Sequence, residues 1–348
     1  MRLLWKERTA SASAPAEVAT VPAVPSLGNG LTAPIRPTDY PGLLETLRAP
    51  HLPEPSPEFY VDWDGIRTRI AMLPWAPREL AGRVNASLPI PDDGYRSEDV
   101  EYAALAAAIN SAHETFRIVE IGAGWAPWAV AGIVQARRRG LRAMGLAVEA
   151  DAQRSQWAMQ HAADNEVSAE FITGTPEQIA QRLREPFDDV ELRVVQAAGW
   201  HTSTILQFPE LDEGDMGGAV WTLPGTDVDY RGAHLSHVDV PTAAIADLLD
   251  TCELTDLLHI DVQGVEFDLI QPASDVIQQK VRLMAIGTTD RLTEGRLQDH
   301  FLPRGWGLAI DEPCKAVFTM THPTLAGFTV QDGTQLWENP FVRRDFPR

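Results

Sequence analysis

Between Arg117 and Phe301 short apolar stretches alternate with longer amphipathic ones, and this alternation limits the fold more than any other feature. Strands joined through helices need crossovers, so the sheet is expected to be mostly parallel with helices on both faces. Strands are expected at Arg117–Ile121, Leu141–Val148, Ala169–Thr173, Leu192–Ala197, Leu257–Val262 and Arg282–Gly287. Helices are expected at Ala129–Arg139, Ala152–Asp164, Pro176–Arg184, Pro241–Leu249, Val265–Gln271 and Arg291–Phe301. Thr175 is a plausible cap, with Pro176 at the first helical position where its missing N–H costs nothing. The fold class is α/β, a doubly wound and mostly parallel sheet with an N-terminal extension and a β-rich insert.

Three parts are expected. Residues 1–57 carry about ten prolines among Ala, Ser and Thr and read as a flexible Pro/Ala-rich segment. Residues 58–115 form a lead-in, with a hairpin turning at Asp64-Gly65 and a helix from Ser97, its cap, to Ala112. Residues 116–348 form the main domain, interrupted by an irregular insert at about 199–240. Asp332-Gly333 reads as another hairpin turn, within Phe328 to Trp337.

The 29 Lys and Arg against 49 Asp and Glu leave a net charge of −20, which disfavours a duplex nucleic-acid or anionic-membrane partner. Cys252 and Cys314 alone build no disulfide framework and no four-thiolate zinc site, which suits a reducing cytoplasm. No apolar run approaches the roughly 18 residues of a membrane span. A cytoplasmic chain is expected.

Two constellations carry chemistry. Val119-Glu120-Ile121-Gly122-Ala123-Gly124-Trp125 ends a strand and opens a helix, a turn that lets a ligand approach the backbone. A dinucleotide fold wants a third glycine where Pro127 stands. An S-adenosylmethionine site does without it and favours an acid before the turn, here Glu120. The next strand ends Val148-Glu149-Ala150-Asp151, where Glu149 is placed to accept ribose hydroxyls. The second constellation, Leu257-Leu258-His259-Ile260-Asp261-Val262-Gln263-Gly264-Val265-Glu266, ends an apolar strand in an acid and opens a helix with Glu266. An acid at that strand end has little structural reason to be there. His259 falls on the same face as Asp261, one residue deeper.

At this decapeptide the chain resembles the FkbM family of S-adenosylmethionine-dependent methyltransferases, whose members carry a Lys-Ile-Asp-x-Glu/Gln-Gly-x-Glu block. The segment Val238-Asp239-Val240-Pro241-Thr242 through Leu248-Leu249 is also similar, and the resemblance spans roughly residues 115–310. It implies a Rossmann-like class I methyltransferase that transfers a methyl group to oxygen, often on a sugar or polyketide-type metabolite. His259 departs from the family lysine, and Ile286-Gly287-Thr288-Thr289 lies where the family often has Glu and His.

The expected cofactor is S-adenosyl-L-methionine, bound by Glu120, Gly122, Gly124, Trp125, Glu149, Asp151, Ala197 and Asp261. The expected catalytic residues are Asp261, His234 and Glu266, with His237 a further candidate base, and no residue is assigned to a metal. The acceptor is a small molecule or glycan, covered by an insert that carries Trp200, His201, Trp221, Tyr230, His234 and His237. Protein partners left open are a neighbouring glycosyltransferase and a second copy of the chain. Two rival functions are a non-catalytic cofactor-fold module beside a glycan-modifying partner and an NAD-dependent oxidoreductase.

Overall fold

The computed structural model describes residues 34–90, 95–187, 189–211, 218–219, 236–320 and 324–342. In chain order, α1 (Tyr40–Glu45) precedes a short hairpin, β1 (Phe59–Val61) and β2 (Arg67–Arg69), and then α2 (Asp99–Asn110). There follow β3 (Thr115–Ile121), α3 (Pro127–Arg138), β4 (Arg142–Glu149), α4 (Ala152–Asp164), β5 (Ala169–Ile172), α5 (Pro176–Leu183) and β6 (Leu192–Gln196). A three-stranded patch, β7 (Ala198–Trp200), β8 (Ile205–Pro209) and β9 (His237–Ala244), leads through α6 (Ile245–Leu249) to β10 (Thr255–Ile260). Next come α7 (Glu266–Ile270), α8 (Ser274–Lys280), β11 (Val281–Thr288), α9 (Arg291–Phe301) and β12 (Gly307–Glu312). The last elements are β13 (Lys315–Ala316), α10 (Leu325–Phe328), β14 (Thr329–Gln331) and β15 (Gly333–Glu338).

The central sheet has eight strands in the order β12-β15-β11-β10-β3-β4-β6-β5. From β11 to β5 all pairs are parallel, and β15 lies antiparallel between β11 and β12. The chain leaves β3 for β4 on one side and later returns to β10 on the other. That reversal opens a crevice at the carboxyl ends of β3, β4 and β10, where doubly wound sheets bind ligands. Strand alternation sends Phe116, Ile118, Leu257 and Leu283 into a core with α2 and α3, and Val119, Ile121, Leu258 and Met284 into a second core beneath α5 to α9. The sheet is therefore covered on both faces, as the alternation of elements requires.

Several local expectations are corrected. Residues 40–47 are not coil: Pro37 and Pro41 occupy first-turn positions of their helices, and Tyr40, Leu44 and Leu47 are buried in the main core. Ser97 is not the cap of α2; Glu98 holds that position, and Ser97 donates its hydroxyl proton to Glu101 instead. Pro241 to Ala244 is strand rather than helix. β9 pairs with β8 up to Pro241 and switches to β7 from Thr242, so proline sits where the ladder changes partner. Asp332-Gly333 does not close a hairpin, because β14 pairs with β13 while β15 pairs with β11 and β12.

Candidate active site

Strand parity assembles the site. Glu120 lies on the α2–α3 face with Phe116 and Ile118, Glu149 with Ala143 and Ala147, and His259 with Leu257. Asp261 continues that parity just past the end of β10. Glu120, Glu149, His259 and Asp261 line one cavity of about 210 Å³, together with Gly122 and Gly124. A smaller adjoining space of about 40 Å³ shares Gly122, Glu149 and Asp261 and is otherwise mostly apolar, with Val148, Ala197 and Val265 in its wall. Gly122 has φ +76°, and a Cβ there would lie 1.7 Å from the Asp261 carbonyl oxygen, so only glycine lets the two turns approach.

The amides of the glycine turn are already taken. Gly122 and Ala123 N–H donate to the Val148 carbonyl at 3.0 Å, and Ala126 N–H to Ala123 at 2.6 Å. Gly124 N–H donates to Glu149 Oε2 at 2.7 Å, and Asp151 N–H to Glu149 Oε1 at 2.8 Å. At the start of α3, Trp128 and Ala129 N–H donate to the two oxygens of Glu120 at 3.3 and 2.7 Å, and Pro127 has no N–H to offer. A helix start that normally attracts an anion is here covered by carboxylates. Burial pushes the Glu120 and Glu149 carboxyls up to about 7, against the amide bonds that favour their charge. Burial, with Glu101 nearby, pushes Asp261 up to about 6, and its Oδ1 accepts from Gln263 at 2.6 Å.

The opposite wall comes from the lead-in. Glu101 of α2 holds His259 Nε2 at 2.9 Å through Oε1. Trp75, exposed at 46%, and Trp125 form a tilted aromatic pair at 5.7 Å, and both line the cavity. Arg96 anchors this wall: it is buried and pairs with Asp64 at 2.7 Å and Asp62 at 3.3 Å, tying the start of α2 to the hairpin turn. Edge-on contacts from Trp63 to Tyr102 at 4.9 Å and from Tyr102 to Trp128 at 5.0 Å continue the packing to the glycine turn.

The residues expected from sequence divide into three groups. Glu120, Gly122, Gly124, Trp125, Glu149 and Asp261 meet at the main cavity, and Ala197 at the smaller space. Asp151 and Glu266 do not. Asp151 caps α4 by accepting from Arg154 N–H at 2.8 Å. Glu266 is fully buried behind the turn, and its Oε1 accepts from Gly264 N–H at 2.8 Å, so it braces the turn rather than facing the cavity. His237 begins β9 opposite Pro209 and lines neither space. His234, Trp221 and Tyr230 lie outside the described residues. Glu101, Arg96 and Trp75 were not singled out from sequence, and Ser97 only as a helix cap. A carboxylate in a helix otherwise buried from Val100 to Ile109 was the available signal, since such a group needs a partner.

No family model matches the chain. A curated protein of Jannaschia sp. (strain CCS1) named "Putative methyltransferase" is 27% identical over 288 residues, covering 82% of this chain and 94% of that protein. This similarity supports methyl transfer in general terms and says nothing of the acceptor. Among solved structures, the FkbM methyltransferase of Methylobacillus flagellatus KT has a TM-score of 0.35 at 11% identity, over 72% of this chain and 58% of that one. The precorrin-6y C5,15-methyltransferase of Geobacter metallireducens GS-15 has a TM-score of 0.35 at 9% identity, over 71% and 90%. The fold assignment rests on this chain's own sheet order. Among the described residues, no helix is long and apolar enough to cross a membrane.

Proposed function

We propose that this chain is an S-adenosylmethionine-dependent methyltransferase acting on a hydroxyl oxygen of a sugar, glycan or small metabolite. One observation carries the reading: Glu149 occupies the Gly124 amide and Glu120 the helix-start amides of Trp128 and Ala129, while the Gly122 and Ala123 amides are held by the Val148 carbonyl. A dinucleotide needs those amides for its pyrophosphate, and a wall of carboxylates repels it. A sulfonium nucleoside with an ammonium group is cationic at that end and fits the same wall. Each Glu149 oxygen accepts one amide and keeps a second lone pair, which suits two ribose hydroxyls. The apolar space beside Ala197 suits a flat base, and Arg154, which also lines the main cavity, suits a carboxylate.

The bound cofactor supplies an electrophilic methyl group; the chain supplies alignment and a place for the acceptor's proton. Alignment of oxygen, carbon and sulfur contributes several kcal/mol by itself. Asp261, at the crevice between β3 and β10, accepts a hydrogen bond from a hydroxyl neighbouring the reacting one and so holds the reacting oxygen toward the methyl group. The Trp75–Trp125 pair at the cavity wall suits the flat face of a sugar. Methyl-labelled S-adenosylmethionine incubated with glycan and metabolite pools tests the reaction class. Asp261→Asn should keep S-adenosylhomocysteine affinity within about tenfold while removing most turnover. Unchanged turnover would retire the assignment of Asp261.

A further inference from the structure

An alcohol is a weak nucleophile unless its proton has somewhere to go. Among the described residues lining the cavity, His259 offers a nitrogen suited to take it. His259 is only 5% exposed and lines the cavity, and its Nδ1 is buried without a hydrogen-bond partner. Its other nitrogen, Nε2, lies 2.9 Å from Glu101 Oε1, while Ser97 Oγ donates to Glu101 Oε2. A carboxylate accepts but does not donate, so this contact puts the neutral ring's proton on Nε2 and leaves a lone pair on Nδ1. A buried lone pair with no donor is costly until a ligand hydroxyl meets it.

We infer that His259 is the general base of the methyl transfer and that Glu101 is the residue that positions it. This rests on the methyltransferase reading above. Nδ1 takes the acceptor's hydroxyl proton as the oxygen bonds to the methyl carbon of a methyl-sulfonium donor. The carbon–sulfur bond breaks with its electron pair left on sulfur. The products are a methyl ether, a thioether and an imidazolium facing Glu101, and that proton then passes to water. The charged groups around the ring are Glu101 from α2, Glu120 from β3 and Asp261 beyond β10; α3 contributes the uncharged Trp128 ring at 5.9 Å. Against burial, which disfavours the charged ring, these carboxylates hold His259 above the usual imidazole range.

The test uses the full chain with 15N-labelled histidine, titrated by NMR, with His259→Gln identifying the resonance. The expected neutral ring is protonated on Nε2, and Glu101→Gln lowers its pKa by about one pH unit. A neutral ring protonated on Nδ1, or a titration that Glu101→Gln leaves in place, overturns the inference. A second arm offers methyl glycosides and labelled S-adenosylmethionine. There His259→Gln should lose about a hundredfold or more in turnover while S-adenosylhomocysteine binding, which also reports folding, stays within about tenfold. Full turnover in His259→Gln overturns the base assignment and leaves the methyltransferase reading standing. A wild-type chain that binds no S-adenosylhomocysteine overturns both.

Discussion

At Gly122 the backbone φ is +76°, and the nearest atom to an added Cβ is the Asp261 carbonyl oxygen. Gly122→Ala therefore meets two penalties. The left-handed backbone costs about 1–2 kcal/mol, and the collision forces the β3 and β10 turns apart. The expected outcome is a lower urea midpoint together with loss of S-adenosylhomocysteine binding; a variant as stable as wild type would show that the two turns are not in contact. Gly287 bears on the same acid differently, since a Cβ there would sit 3.2 Å from Asp261 Cγ. A larger residue at that position would press on the Asp261 carboxyl, which gives a physical reason for glycine there. Glu266 shows how far a local pattern reaches: an acid opening a helix beside an acid-bearing strand looks chemical, yet its Oε1 accepts from the Gly264 amide and it lines neither space.

Among the elements, α2 and the lead-in segment with Trp75 and Arg96 form the second wall of the site, and Arg96 ties that wall to the turn of the β1–β2 hairpin. Arg96→Ala would leave Asp62 and Asp64 buried without their cation. Breaking a buried pair this way costs about 3–5 kcal/mol, and the Trp75 and Glu101 wall should loosen with it. Chemical denaturation together with cofactor affinity checks this; a loss below about 1 kcal/mol would mean that water reaches the pair. The strand tips of β3, β4 and β10 were legible in sequence because each joins an apolar run to an acid and the first and last add a glycine turn. Helix α1 was not, because prolines at helix starts read as coil. The Glu101–His259 contact was not either: it spans 158 residues, and no local pattern encodes it. In β9, local propensity around Pro241 was overridden by pairing on both sides.

For the molecule as a whole, buried acids dominate the response to pH. Burial pushes Glu120 and Glu149 to about 7, Asp261 to about 6 and Glu266 to about 8. The folded chain then holds protons that the unfolded chain releases, so stability falls as pH rises from the ordinary carboxylate range through these values. His259, raised, adds to the loss at the upper end. His161, which burial pushes down to about 4, acts oppositely and only below the imidazole range. The ligand-free melting temperature should therefore drop between about pH 6 and pH 8.5, and Glu266→Gln should flatten the drop. A melting temperature that rises across that range would contradict this ordering.

If the chain is a methyltransferase, its carboxylate-lined crevice holds a sulfonium nucleoside. Calorimetric titration of the full chain with S-adenosylhomocysteine, repeated with NAD and with Glu149→Ala, tests it most directly. The expected result is binding of S-adenosylhomocysteine, a loss of about tenfold or more in Glu149→Ala, and no heat from NAD. Binding of NAD without S-adenosylhomocysteine, or an affinity that Glu149→Ala leaves untouched, would contradict it.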